Sequence, residues 1–284
     1  MTEVLRYAAF TTDPAAGNPA GVVLDAGELT DPEMQAIAAD VGYSETAFLT
    51  ATGPGEYDVR YFSPQAEVPF CGHATIASAV AVAERDDTGD LVFRTPAGVV
   101  PVATARDAGG RPTATLTSVA PSDAPVAPED LAEALAALGW APTDLDPSLP
   151  PRVAYAGAHH LVLGAATRER LAALDYDFDR LRDLMLRRDW TTVALVWRAS
   201  GTEFDVRNPF PVGGVVEDPA TGAAAAALGG YLRTHGLVEP PATLRLCQGA
   251  ELGRPGLLVV DVPAGTGGIR VTGNAVVMPG PGRG

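Results

Sequence analysis

Three short stretches of the chain carry residue types suited to acid–base chemistry. The first is Tyr43-Ser44-Glu45-Thr46-Ala47-Phe48-Leu49. Read as extended chain, its period of two puts Glu45 on one face with Tyr43, Ala47 and Leu49. A carboxylate among apolar neighbours is partly desolvated, which suits it to proton transfer. The bland alternative is a glutamate at a strand edge that faces water, the common fate of a lone Glu.

The second stretch is Phe70-Cys71-Gly72-His73-Ala74-Thr75, which runs into an alanine-rich segment. A helix starting here would offer free N–H groups and a positive dipole end to an anion. Gly72 would let a ligand approach the backbone. His73 could donate or accept a proton, or it could merely cap or pack. Cys71 could serve as a nucleophile or base, or as a small buried hydrophobe.

The third stretch is Glu217-Asp218-Pro219-Ala220-Thr221-Gly222-Ala223, a second helix start with an adjacent carboxylate. Asp218 ahead of Pro219 also reads as an ordinary cap. Two such helix mouths facing each other would bracket a small carboxylate, with Glu45 and Asp218 acting from opposite sides. Arg207, in Asp205-Val206-Arg207-Asn208-Pro209, could supply positive charge to it or sit on the surface.

Elements must hold these residues in place, and the sequence marks several. Short β-branched runs fall at residues 4–10, 20–24, 46–49, 59–62, 91–95 and 99–103, separated by Gly, Pro and Asp. Thr30-Asp31-Pro32-Glu33 has capping-box spacing and predicts a helix striped by Met34, Ile37, Ala38 and Val41 and closed by Gly42. From Gly72 to about Glu84 the chain is rich in small residues nearly all round, the pattern of a buried helix. A similar run opens at Thr221-Gly222-Ala223 and continues towards Leu232. Each run is followed by a strand, a glycine turn and another strand, as in a two-copy architecture with an offset of about half the chain. Any alanine-rich helix flanked by hairpins would look the same. Residues 120–151 hold one helix, Pro128 to Leu138 with Gly139 as its cap, and read as the crossover between the halves.

Composition narrows the function classes. The 284 residues are 46 % hydrophobic and 19 % charged, an ordinary globular mix. Asp and Glu number 35 against 20 basic residues, a net charge of −15 that argues against nucleic acid or an anionic membrane as partner. All the basic residues are arginine. Without lysine there is no pyridoxal Schiff base and no Walker phosphate loop. Cys71 and Cys247 allow one disulfide but suit two thiols in a reducing compartment better. No signal peptide and no strongly apolar segment of membrane-spanning length is visible, so a cytoplasmic location is expected. Residues 42–46 lack the last glycine of a nucleophile elbow, and the Gly-rich tail 280–284 precedes no helix that would make it a dinucleotide loop. His159 and His160 are adjacent and share no ligand spacing with either cysteine, so no metal site is expected.

Five segments in chain order resemble the phenazine-biosynthesis PhzF family. They are Ala16-Gly17-Asn18-Pro19-Ala20, Ser44-Glu45-Thr46, Val68-Pro69-Phe70-Cys71-Gly72-His73-Ala74-Thr75, Glu217-Asp218-Pro219-Ala220-Thr221-Gly222, and Gln248-Gly249 through Gly253-Arg254-Pro255. The resemblance implies an α+β fold of the diaminopimelate-epimerase type, two similar lobes that each wrap a curved, mostly antiparallel sheet around a central helix. The lobes are expected at residues 1–122 and 123–284, with the last strand free to return to the first. The resemblance further implies a cofactor-free, often homodimeric isomerase. The family's best-known reaction moves a proton along a conjugated dihydro-hydroxyanthranilate. By analogy Glu45 carries the proton, His73 and Asp218 assist, and Gly72 and Gly222 present backbone N–H groups; Thr221, Ala223 and Arg207 are read beside them as further substrate-binding candidates. Ala223 stands where the family has serine, so one hydroxyl donor is absent and the substrate is left as a small carboxylate. The Cys71-Gly72-His73 motif also resembles the first motif of proline-racemase-type enzymes, which need a second thiol at the other helix mouth. A third reading is a silent carboxylate binder on the same scaffold.

Overall fold

The computed structural model describes residues 2–87 and 89–279; the tail 280–284 lies outside the described residues. The chain forms two units. One holds the chain up to Thr117 together with the part from Thr272 onward, and the other is Ser118–Val271. Residues 120–151, expected as a crossover, are built into the second unit.

In the first unit the strands are β1 (Leu5–Ala9), β2 (Asn18–Val23), β3 (Thr46–Gly53), β4 (Glu56–Phe62), the short β5 (Glu67–Val68), β6 (Asp90–Thr95), β7 (Gly98–Arg106) and β8 (Pro112–Thr117). Helix α1 (Asp31–Val41) lies between β2 and β3, and helix α2 (Gly72–Asp86) between β5 and β6. Sheet order is β1-β2-β3-β4-β6-β7-β8, and the chain's last strand, Arg270–Val277, sits next to β8 and also pairs with β1. That second pairing aligns Tyr7 with Val277 and Ala9 with Ala275 and closes the strands into a barrel. Closure leaves no free sheet edge on that path.

Helix α2 fills the barrel and packs on β1, β2, β3, β7 and β8. Every residue from His73 to Ala83 is buried. Alanines dominate because strands approach the helix from all sides, so bulkier side chains would not fit. Helix α1 is set as its sequence predicts. The Thr30 backbone N–H donates to the Glu33 carboxylate at 2.8 Å, and Gly42 ends the helix at φ 70°. Met34 and Ala38 from α1 join Val23, Phe48 and Phe62 in a second core on the outer face.

The second unit repeats this logic with β9 (Ser122–Pro125), β10 (Arg152–Tyr155), β11 (His159–Gly164), β12 (Thr192–Arg198), β13 (Glu203–Arg207), β14 (Ala242–Gln248) and β15 (Gly256–Val262). Its helices are α3 (Pro128–Leu138), α4 (Arg168–Ala172), α5 (Phe178–Arg188) and α6 (Gly222–Thr234). Sheet order is β9-β10-β11-β12-β13-β14-β15, and α6 packs on β9, β10, β11, β12 and β15. Leu138, Leu161, Leu184 and Trp190 build the separate core beneath α3 and α5.

The pairing pattern shows the duplication. From β1 to β7 the partnerships run antiparallel, parallel across α1, antiparallel, parallel across α2, antiparallel. From β10 to β15 they run antiparallel, parallel across α4 and α5, antiparallel, parallel across α6, antiparallel. The fold is thus the expected α+β type, each unit a mostly antiparallel sheet around one central helix. Among the described residues no helix is long and apolar enough to cross a membrane.

Candidate active site

In the first unit the barrel brings three of the chemically capable residues together. Glu45 is the residue just before β3 rather than within it. Its carbonyl still accepts the Gly21 N–H at 3.2 Å, which ties it to β2. Cys71 is the N-cap of α2, and His73 lies in the first turn. The Cys71 carbonyl accepts both the N–H of Thr75 at 3.0 Å and its hydroxyl at 2.7 Å, which locks the start of the helix.

These anchors set a compact cluster. His73 Nε2 lies 3.4 Å from Glu45 Oε2, with the two side chains 6 % and 14 % exposed. Cys71 Sγ lies 3.4 Å from His73 Nδ1 and 3.8 Å from Nε2. Ser44 Oγ approaches the same Nε2 at 3.5 Å. Glu45 Oε2 is fully buried and has no hydrogen-bond partner among the described residues. A buried carboxylate oxygen without a donor keeps its lone pairs available to an incoming proton donor. The ligand atoms of Glu45, Cys71 and His73 all lie within 4.8 Å of one another, a set of donors that could hold a metal ion. Sequence spacing did not point to that set.

In the second unit the α6 mouth is an internally bonded network. Thr221, the N-cap, donates its hydroxyl to Asp218 Oδ2 at 2.6 Å. Gln248 accepts the Thr221 N–H at 3.1 Å and donates to the Asp218 carbonyl at 2.7 Å and to the Thr221 hydroxyl at 3.0 Å. Gly222 is buried, while Ala223 is half-buried beside it. Gln248 was missed as a site residue, although the Gln248-Gly249 motif carried the signal. Gly249 explains the rest of that motif. It sits at φ +83°, and a Cβ there would meet the Arg254 and Pro219 carbonyl oxygens at 2.4 and 2.7 Å.

Arg207 was expected as positive charge for a substrate. Its guanidinium is instead committed within the unit. Nε and Nη2 donate to the two Glu217 oxygens at 2.9 and 2.5 Å, and Nη1 donates to the Ala172 carbonyl at 2.8 Å. Arg207 and Glu217 are both buried, so the pair neutralises itself in the core of the segment that leads to Asp218. The second thiol is also misplaced for a two-thiol racemase. Alternation along β14 turns Gln248 inward and leaves Cys247 exposed on the opposite face. Partial desolvation by its strand neighbours, with nearby Asp205, pushes the Cys247 thiol up from its ordinary value and disfavours a thiolate.

The fold and the sequence together place the chain in a known isomerase group. Residues 7–280 match the family model for phenazine biosynthesis-like proteins, PhzC-PhzF, so the chain belongs to that family and is an isomerase of the PhzF type. An uncharacterized isomerase of Deinococcus radiodurans is 37 % identical over 92 % of this chain and 87 % of its own length. The trans-2,3-dihydro-3-hydroxyanthranilate isomerase of Pseudomonas fluorescens is 32 % identical over 88 % of this chain and 86 % of its own. The crystal structure of a Bacillus anthracis phenazine biosynthesis protein of the PhzF family superposes with a TM-score of 0.87 at 27 % identity, covering 98 % of this chain and 97 % of that one. A probable proline racemase from Agrobacterium radiobacter K84 shares the fold alone, with a TM-score of 0.67 at 13 % identity over 98 % of this chain and 91 % of that one.

Proposed function

We propose that this isomerase moves a proton within a small carboxylate-bearing metabolite, with Glu45 as the proton carrier and His73 as its partner. The observation that carries the reading is the Glu45 carboxylate itself. Its Oε2 is buried, has no hydrogen-bond donor among the described residues and stands 3.4 Å from His73 Nε2. Glu45 takes a proton from one carbon of the substrate and returns it to another. The electron pair shifts within the substrate, so no oxidant or reductant is needed. His73 stabilises the carboxylate as its charge changes and can exchange the proton. The first turn of α2, beginning at Gly72, offers its positive end to the substrate's anionic group. Asp218, Thr221, Gly222 and Ala223 form a second helix start of the same kind. At Ala223 only the backbone can donate.

The experiment is proton exchange in deuterated water. The probes are trans-2,3-dihydro-3-hydroxyanthranilate, the compound named for the Pseudomonas relative, and a panel of cyclic amino acids. Wild-type protein is expected to place solvent deuterium on carbon in one of them. Glu45→Gln is expected to lower that rate by about 10²–10⁴-fold while keeping its circular dichroism and its ligand affinity. Full exchange in Glu45→Gln ends the proposal. The missing hydroxyl at Ala223 supports a second reading, a binder without turnover. It requires binding of a probe with no label in any of them.

A further inference from the structure

We propose that Glu45, Cys71 and His73 form a site for zinc, and that occupancy by the metal inhibits the enzyme. The site stands on the donor set and its closeness, and its inhibitory effect rests on the reading of Glu45 as proton carrier.

The donor set is one thiol, one imidazole and one carboxylate. Thiolate and imidazole together favour zinc over magnesium or calcium, which prefer oxygen ligands. The carboxylate–imidazole distance fits a bound ion, and the thiol is within reach of it. With Zn–S near 2.3 Å and Zn–N or Zn–O near 2.0–2.1 Å, tetrahedral angles put S and N about 3.6 Å apart and N and O about 3.3 Å apart. The structure places Glu45 Oε2 3.4 Å from His73 Nε2, while Cys71 Sγ, 3.4 Å from Nδ1 and 3.8 Å from Nε2, lies beside the ring, so the thiol and the imidazole must turn to bring sulfur alongside a metal on Nε2. All three ligand atoms lie within 4.8 Å of one another.

Charge and burial also fit. A thiolate, a carboxylate and a neutral imidazole sum to −2, which one divalent ion cancels. A neutral assembly is the form a buried site tolerates best. Cys71 and His73 are buried, and Cys71 caps α2, where the positive end of the helix favours the thiolate. Binding forms a Zn–S bond and breaks the S–H bond, whose proton leaves to solvent, and nothing is oxidised or reduced. Three protein ligands leave the fourth tetrahedral position to water. A metal there takes the Oε2 lone pair that proton transfer requires.

The test uses the full chain without a histidine tag. Cobalt(II) is the spectroscopic probe, because a thiolate bound to it gives a near-ultraviolet charge-transfer band. One equivalent is expected to saturate the band and Zn2+ to abolish it. Cys71→Ser and Cys71→Ala are expected to lose the band, while Cys247→Ser keeps it. X-ray absorption of the zinc-loaded wild type is expected to show one sulfur and otherwise N/O ligands, a readout that needs no variant to fold. A band that survives in a folded Cys71 variant, or a shell without sulfur, overturns the site. In the deuterium-exchange assay, Zn2+ is expected to stop wild-type turnover and a chelator to restore it. Undiminished turnover in the zinc-loaded protein overturns the inhibition. A Cys71-dependent band alongside an active Glu45→Gln variant would sink the proton-transfer reading and leave the metal site standing.

Discussion

His73 Nε2 stands 3.4 Å from Glu45 Oε2, although the two residues belong to different elements. Glu45 is held by the first rung between β2 and β3, and His73 by the first turn of α2. The imidazole is therefore an electrostatic partner for a carboxylate whose Oε2 has no hydrogen bond among the described residues. His73→Leu is expected to lower kcat for proton exchange by about 100-fold or more, with a smaller change in KM. Steady-state kinetics checks this, and a raised KM with kcat unchanged would recast His73 as a binding residue.

Arg207 and Glu217 form a buried, two-pronged ion pair beside the segment that carries Asp218. Removing one partner strands a charge in the interior. Glu217→Leu alone is expected to cost about 3–5 kcal/mol, whereas Arg207→Met with Glu217→Leu is expected to be near neutral or stabilising. Chemical unfolding of the single and double variants decides the matter. A double variant as unstable as the single would show that Arg207 matters mainly through its other contacts, the Leu171 and Ala172 carbonyls.

Gln248 satisfies three groups at the α6 mouth: the Thr221 N–H, the Thr221 hydroxyl oxygen and the Asp218 carbonyl. Its side chain is buried, so no water replaces it without rearrangement. Gln248→Leu keeps the apolar volume and removes every bond. The expected cost is about 1–3 kcal/mol, read as a lower Tm in calorimetry. An unchanged Tm would mean that the network contributes nothing net.

Much of this fold shows in local sequence patterns because the causes are local. The Glu33 carboxylate bonded to the Thr30 N–H, the left-handed Gly42 and the alanines of α2 each follow from a few neighbouring residues. Helix α5 has the same kind of signal, with Leu181, Leu184 and Met185 at helical spacing, yet its strongly charged exterior hid it. Other features are long-range. Alternation around Glu45 does not reveal where the ladder begins, so a residue expected in the strand lies just ahead of it. The closing partnership of the last strand with β1 joins opposite ends of the chain. Arg207 shows why a site residue is hard to assign from type alone. Its charge was evident, but its partner Glu217 lies across a turn whose path depends on the Pro209–Glu217 bridge and the short helical turn within it. The meeting of Glu45, Cys71 and His73 depends on the barrel and on no spacing that could be counted.

His160 makes the pH dependence of stability a test of the second unit's core. It is fully buried, and burial, with the neighbouring His159, pushes its imidazole down from 6.5 to about 3. Thr192 donates its hydroxyl to Asn208 Oδ1 at 3.0 Å, so its oxygen accepts from His160 Nδ1 at 2.8 Å. That assigns the proton to Nδ1 and leaves Nε2 buried and without a hydrogen-bond partner among the described residues. Protonating Nε2 would place a charge with no acceptor in the core. The unfolded chain takes up this proton near its ordinary value of 6.5, while the folded chain resists until about 3. Between those values the unfolded state holds more protons, so stability is intact above the upper one and falls as pH drops towards the lower. His160→Leu is expected to start about 1 kcal/mol less stable at neutral pH, because Thr192 loses its donor. It is also expected to lose less stability than wild type on acidification across that window. Unfolding free energies measured at several pH values check both, and parallel curves for the two proteins would refute a neutral buried His160.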